Sequence, residues 1–139
     1  MRYADARDWA KNYFGLLEYS PMPVFNPGPA TDLVVQKAGP NRLIFLTVGG
    51  GPGFNTENTF DGTFLSVRVI GRQGSYEDAE TMAMDLDKGL TALDHNGVMG
   101  NTRYTHVARS GGKPLLLQMD NANRYHFTCS YVIDAQTEG

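Results

Sequence analysis

Four groups of residues in this 139-residue chain are of types that do chemistry. The run Gly49-Gly50-Gly51-Pro52-Gly53 has the composition of a phosphate cradle or an oxyanion loop. A P-loop needs a Lys-Ser/Thr pair after its last glycine, and Phe54-Asn55 follows here. An esterase-type oxyanion loop works beside a nucleophile elbow, and no G-x-S-x-G occurs. Cys129 with His126 or His106 would make a thiol–imidazole pair. Residues 126 and 129 sit at odd spacing on one strand, so they face opposite ways, and Cys129 reads as a small core residue. His106 and His126 together are two metal ligands without an obvious third. Glu80, Asp85 and Asp87 are carboxylates at spacings of two, five and seven, which on a helix gather no pocket. The residues therefore imply no catalytic, metal or cofactor site, and the chain reads as a building block rather than an enzyme.

The elements that carry these residues follow from periodicity. Ala6, Trp9, Ala10, Tyr13, Phe14 and Leu17 recur at helical spacing and predict a helix over 5–18, capped by Asp5 or Asp8. Residues 20–32 hold four prolines and read as an extended connector. Strands are expected at Leu33–Lys37, Arg42–Val48 and Thr63–Arg72, with a glycine-rich loop over 49–62. The Arg42–Val48 strand is apolar on both faces, so it is either covered on both sides or part of a subunit interface. Ser75 opens a second helix, with Asp78 three residues on as an approximate capping box and Ala79, Met82, Ala83, Leu86, Leu90 and Leu93 as its buried stripe. His95 follows this helix as a cation at its C-terminal end. Thr102–Arg109 is expected to form a hairpin with Pro114–Met119 through Gly111-Gly112. Asp120–Asn123 is a further turn, and Arg124–Ile133 alternates strictly as the last strand. This order gives an α+β fold with a mainly antiparallel sheet and two helices packed on one face, in a single domain spanning 1–139.

Charge is unevenly spread. The chain carries −3 overall, but Ser75–Asp94 holds six acids and one base and alone carries −5, leaving +2 elsewhere. The overall sign argues against a free-standing nucleic-acid binder. An acidic helix on a mildly basic body suits head-to-side contact between like subunits. A single cysteine excludes an internal disulfide. The N-terminus MRYADARDWAKNYF is charged and amphipathic, so no secretory signal is expected, and the apolar runs are too short to cross a bilayer. No membrane partner is expected.

The progression NRLIFLTVGGGPG, then FDGTFLSVRVIGRQGSYEDAETMAMDLDKGL, then a basic strand, a hairpin and RYHFTCSYVID resembles the tail terminator proteins of long-tailed bacteriophages, also called minor tail or minor capsid proteins, and in particular those of actinobacterial phages. The resemblance runs from the first helix to the last strand. It implies a structural virion protein that forms a hexameric ring on the head-proximal end of the tail tube, ends tube polymerisation and meets a head-completion or stopper protein. Its partners would be further copies of itself, the major tail tube protein and that stopper. DNA would pass through the channel without specific binding, and the protein would be assembled in the host cytoplasm.

Two other functions remain open on sequence: a head–tail stopper or adaptor, and a small ligand-binding or enzyme domain with the glycine-rich segment as a lid. For the ring, the expected contact residues are Phe54 and Phe60 in the glycine-rich loop, Arg68 and Arg72 on the strand after it, and Glu77, Glu80 and Asp87 on the outward face of the acidic helix.

Overall fold

The computed structural model describes residues 1–31, 41–54, 60–93 and 97–136, with backbone alone for 51–54, 60, 61 and 136. Among the described residues nine elements follow one another: helix α1 (Tyr3–Leu16), strands β1 (Val24–Pro27), β2 (Leu43–Phe54) and β3 (Phe60–Ile70), helix α2 (Tyr76–Thr91), and strands β4 (Gly97–Met99), β5 (Thr102–Arg109), β6 (Leu115–Met119) and β7 (Tyr125–Gln136). The fold is α+β. Its sheet is mixed rather than purely antiparallel. The order is β1-β2-β3-β7-β5-β4, with β6 also on β7, and β1 runs parallel to β2.

Both helices cover one face of the sheet. Ile44 and Leu46 of β2, Leu65, Val67 and Val69 of β3, and Phe127, Cys129, Tyr131 and Ile133 of β7 point to that face and are buried against Ala6, Phe14, Ala79, Met82, Leu86 and Leu90. Strand alternation puts the other set, Leu43, Phe45 and Ile70, on the opposite face, where Ala30 packs on them. The two-sided apolar character of β2 is thus satisfied within the chain, with Leu43 and Phe45 at 1% and 2% exposure.

Helix α1 is fixed at its start by tertiary partners. Its N-cap is Arg2, and Asp5, expected as a cap itself, sits one turn in. The Asp5 carboxylate accepts from Arg2 N (3.2 Å), Asn101 N (2.8 Å) and Thr102 Oγ1 (2.5 Å), tying the helix start to the β4–β5 turn. That turn passes so close to Asp5 that a Cβ at Gly100 would meet the Asp5 Cα at 2.5 Å, and Gly100 has φ +60. Where α1 meets α2, Gly89 leaves room for the Tyr13 ring, 2.6 Å from where its Cβ would lie. No helix among the described residues is long and apolar enough to cross a membrane.

Several expectations change. The proline-rich connector contains β1, since Val24 N donates to Arg42 O and Gly28 N to Leu46 O. The glycine-rich segment is largely strand: β2 continues to Phe54 and β3 begins at Phe60, with the register shifting between Gly49 and Gly53. The extra residues of that bulge are where the glycines fall. Strand β5 does not form a hairpin with β6. Both run antiparallel to β7 along the same edge, β5 on residues 131–135 and β6 on residues 125–128. The reversal is instead at Asp120–Asn123, where Asp120 Oδ1 accepts from Ala122 N (2.9 Å) and Arg124 N (3.1 Å). The expected strand Leu33–Lys37 and His95 lie outside the described residues.

Candidate functional site

Helix α2 positions most of the charge. Ser75 Oγ accepts from Asp78 N at 3.1 Å, so the cap forms. The Asp78 carboxylate does not complete the box. It turns to the end of the sheet, taking Arg42 Nε at 2.9 and 3.2 Å, Arg72 N at 2.8 Å and Arg72 Nε at 3.3 Å. Burial pushes the Asp78 carboxyl upward, but these hydrogen bonds and the two guanidinium charges outweigh it and hold it below the usual carboxylate range. Two turns on, Tyr19 OH donates to Asp85 Oδ2 at 2.6 Å, and the Arg42 guanidinium lies over the Tyr19 ring at 5.2 Å. Burial and Asp85 raise the Tyr19 hydroxyl well above its ordinary value. These groups line an open cleft of ≈ 580 Å³ between the exit of α1 and the first half of α2, with Glu77 and Thr81 on its rim.

Asp87 departs most from its expected place. It is 6% exposed, not outward. Its carboxylate takes Arg109 Nε at 2.9 Å, an Arg109 terminal nitrogen at 2.5 Å and Tyr131 OH at 2.8 Å. The Arg109 fork is the main reason its carboxyl lies below the usual range. Tyr131 OH also lies 3.3 Å from Cys129 Sγ. A hydroxyl has one proton to give, and the charged, nearer carboxylate takes it. Burial pushes the Cys129 thiol up to about 11, which leaves it a poor nucleophile.

The other expected contact residues separate. Arg72 is exposed but engaged by Asp78 of its own chain. Glu77 is exposed, and Glu80 is half-buried beside the Tyr76 hydroxyl. Arg68 alternates with Val67 and Val69 and so stands on the face away from the helices, in register with Phe45 and Thr128. Phe54 and Phe60 flank the β2–β3 connection, and their side chains lie outside the described residues. His106 and His126 are at opposite ends of β7, in register with Asp134 and Gln118. His126 instead contacts Asp120 Oδ2 at 2.7 Å.

One surface was not foreseen. Strand β6, LLLQM, is exposed along its whole length, with Leu115 at 65% and Met119 at 53%. Among the described residues it pairs only with β7. An apolar edge strand with no proline or charge inside it is a template for another chain. The sequence signal was present in the run of three leucines, but the assumed hairpin gave the strand a partner that it does not have.

The comparisons with known proteins agree with this architecture. No curated protein matches the sequence. A chain from a structure described as a virion of a native gene transfer agent particle aligns with a TM-score of 0.57, covering 98% of this chain and 100% of that one. At 15% identity the likeness establishes the fold alone. A family model described as bacteriophage tail terminator protein matches residues 36–137, from before β2 to the end of β7. That span includes most of the sheet, α2 and the free β6 edge, and by it the chain belongs to the bacteriophage tail terminator proteins, structural components of the virion tail.

Proposed function

We propose that the protein acts as one tail-terminator-like domain that assembles into a homohexameric ring on the head-proximal end of the tail tube. There it ends tube polymerisation and joins the tail to the head-completion protein. The family match over residues 36–137 carries this reading. The apolar edge of β6 supports it, because a subunit of a closed assembly has surface that only a neighbour covers. The net charge of −3 fits a channel that DNA crosses without being bound. Chemical turnover has no part in such a role. The protein would assemble in the host cytoplasm and remain at the head-proximal end of the finished tail.

Electron microscopy of intact particles carrying a labelled copy tests the proposal. The expected image is a single ring of label between head and tube, and particles assembled without the protein should show tubes of uncontrolled length. Label spread along the tube, or a single copy per particle, would overturn it.

A further inference from the structure

Among the described residues, one cation and one carboxylate of the expected contact set are without partners, and the fold holds them on opposite faces of the sheet. The five carboxylates of α2 can be taken in turn. Asp78 is held by Arg42 and Arg72, Asp85 by Tyr19, and Asp87 by Arg109 and Tyr131, while Glu80 lies beside the Tyr76 hydroxyl. Glu77 alone has no partner among the described residues, and it is exposed on the first turn of the helix. Of the arginines on β3 and just after it, Arg72 is taken by Asp78, whereas Arg68 has no ion pair or hydrogen bond among the described residues.

Arg68 does not lie loose on the surface. It is half-buried in a cleft of ≈ 190 Å³ formed where residues 28–30 cross the sheet, with Phe45 and Thr128 beside it in register and Thr47 and Ser66 on the wall. The hydroxyls of Thr47 and Ser66 have no hydrogen bond among the described residues. A planar fork of N–H donors, two free hydroxyls and the apolar walls of Phe45, Pro29 and Ala30 form a receptor for one carboxylate. A nucleic-acid backbone calls for several cations in a row, and among the described residues Arg68 is the only cation lining this cleft.

We propose that the Arg68 cleft receives the Glu77 carboxylate of a second copy of this chain. The two residues stand on opposite faces of one sheet, so they cannot meet within a subunit. A contact from the helix face of one copy to the opposite face of the next is heterologous, the kind that repeats around a ring. Charge complementarity between the helix segment at −5 and the remainder at +2 favours the same orientation. This inference rests on the ring proposed above and names the contact that fixes its register.

Charge exchange tests it in particles. Arg68→Glu and Glu77→Arg, each alone, should lower the yield of ring-capped tails by at least about tenfold, while the double exchange restores it to within about threefold of the unmodified protein. Thermal melting of each isolated variant checks the fold, and Glu77→Gln, a milder change on an exposed helix turn, should give a smaller loss. A double exchange no better than the single variants would overturn the pairing. So would normal ring assembly by Arg68→Glu. If Arg68→Glu gave complete rings that fail to pass DNA while Glu77→Arg was silent, the cleft would be a phosphate contact instead. An unmodified protein that forms no ring removes the functional proposal itself, whereas a ring without rescue removes only this contact.

Discussion

Asp87 shows how a single carboxylate can be misread from its spacing and placed by its partners. On the α2 helix it lies four residues after Ala83 and three before Leu90, so it flanks the buried stripe rather than opposing it. It can be buried there only because β5 brings Arg109, and β7 brings Tyr131, to the same spot. Neither is near it in sequence, which is why periodicity alone left Asp87 outside. Glu77, without such partners, stayed at the surface as expected. Tyr131 is fully buried, and loss of its hydroxyl strips one donor from a charged acceptor that keeps its Arg109 fork. Tyr131→Phe should lower stability by about 1–2 kcal/mol. Urea denaturation measures this, and an unchanged midpoint would mean that the Tyr131–Asp87 bond contributes nothing net.

At the scale of elements, the two helices, β7 and the core strands were legible because each has a clean period and long reach. The stripe Ala6, Ala10, Phe14 and the stripe Ala79, Met82, Leu86, Leu90 are among the buried residues of α1 and α2. The failures fell on short strands, whose pairing is decided by non-local geometry. Strand β1 escaped notice because its four residues, VFNP, end in a proline, and it gains its place only from the parallel edge of β2. Two turn signals competed around β6, Gly111-Gly112 and Asp120–Asn123, and the one with a side chain to hold it made the reversal. The result is an apolar edge that the isolated subunit leaves exposed. A lysine there keeps the existing ladder to β7 but discourages a further strand. Leu117→Lys should change the stability of the free subunit by no more than about 0.5 kcal/mol. It should reduce self-association in sedimentation velocity and lower the number of capped tubes. Unaltered assembly would show that β6 is not a contact strand.

Across the whole molecule, four buried or half-buried carboxylates join parts of the chain that no local signal links. Asp5 ties α1 to the β4–β5 turn, Asp78 ties α2 to the arginines at the ends of the sheet, Asp87 ties α2 to β5 and β7, and Asp120 closes the β6–β7 turn on His126. Burial raises the carboxyl of Asp5, Asp78 and Asp120 most, and in each the hydrogen bonds it accepts outweigh that; in Asp87 the Arg109 fork dominates from the start. All four therefore ionise more readily folded than unfolded. A carboxylate lowered by folding adds stability that is complete above its unfolded value, about 4, and that is lost as pH falls through its folded value. The protein should be most resistant to urea near neutral pH, and its midpoint should fall steeply below about pH 4. Asp5→Asn should begin from a lower midpoint at pH 7 and lose less of it on acidification, because one of the four titrating ties is already gone. A midpoint that stayed level from pH 6 to about pH 3, or an Asp5→Asn curve parallel to that of the unmodified protein, would show that these carboxylates do not hold the elements together.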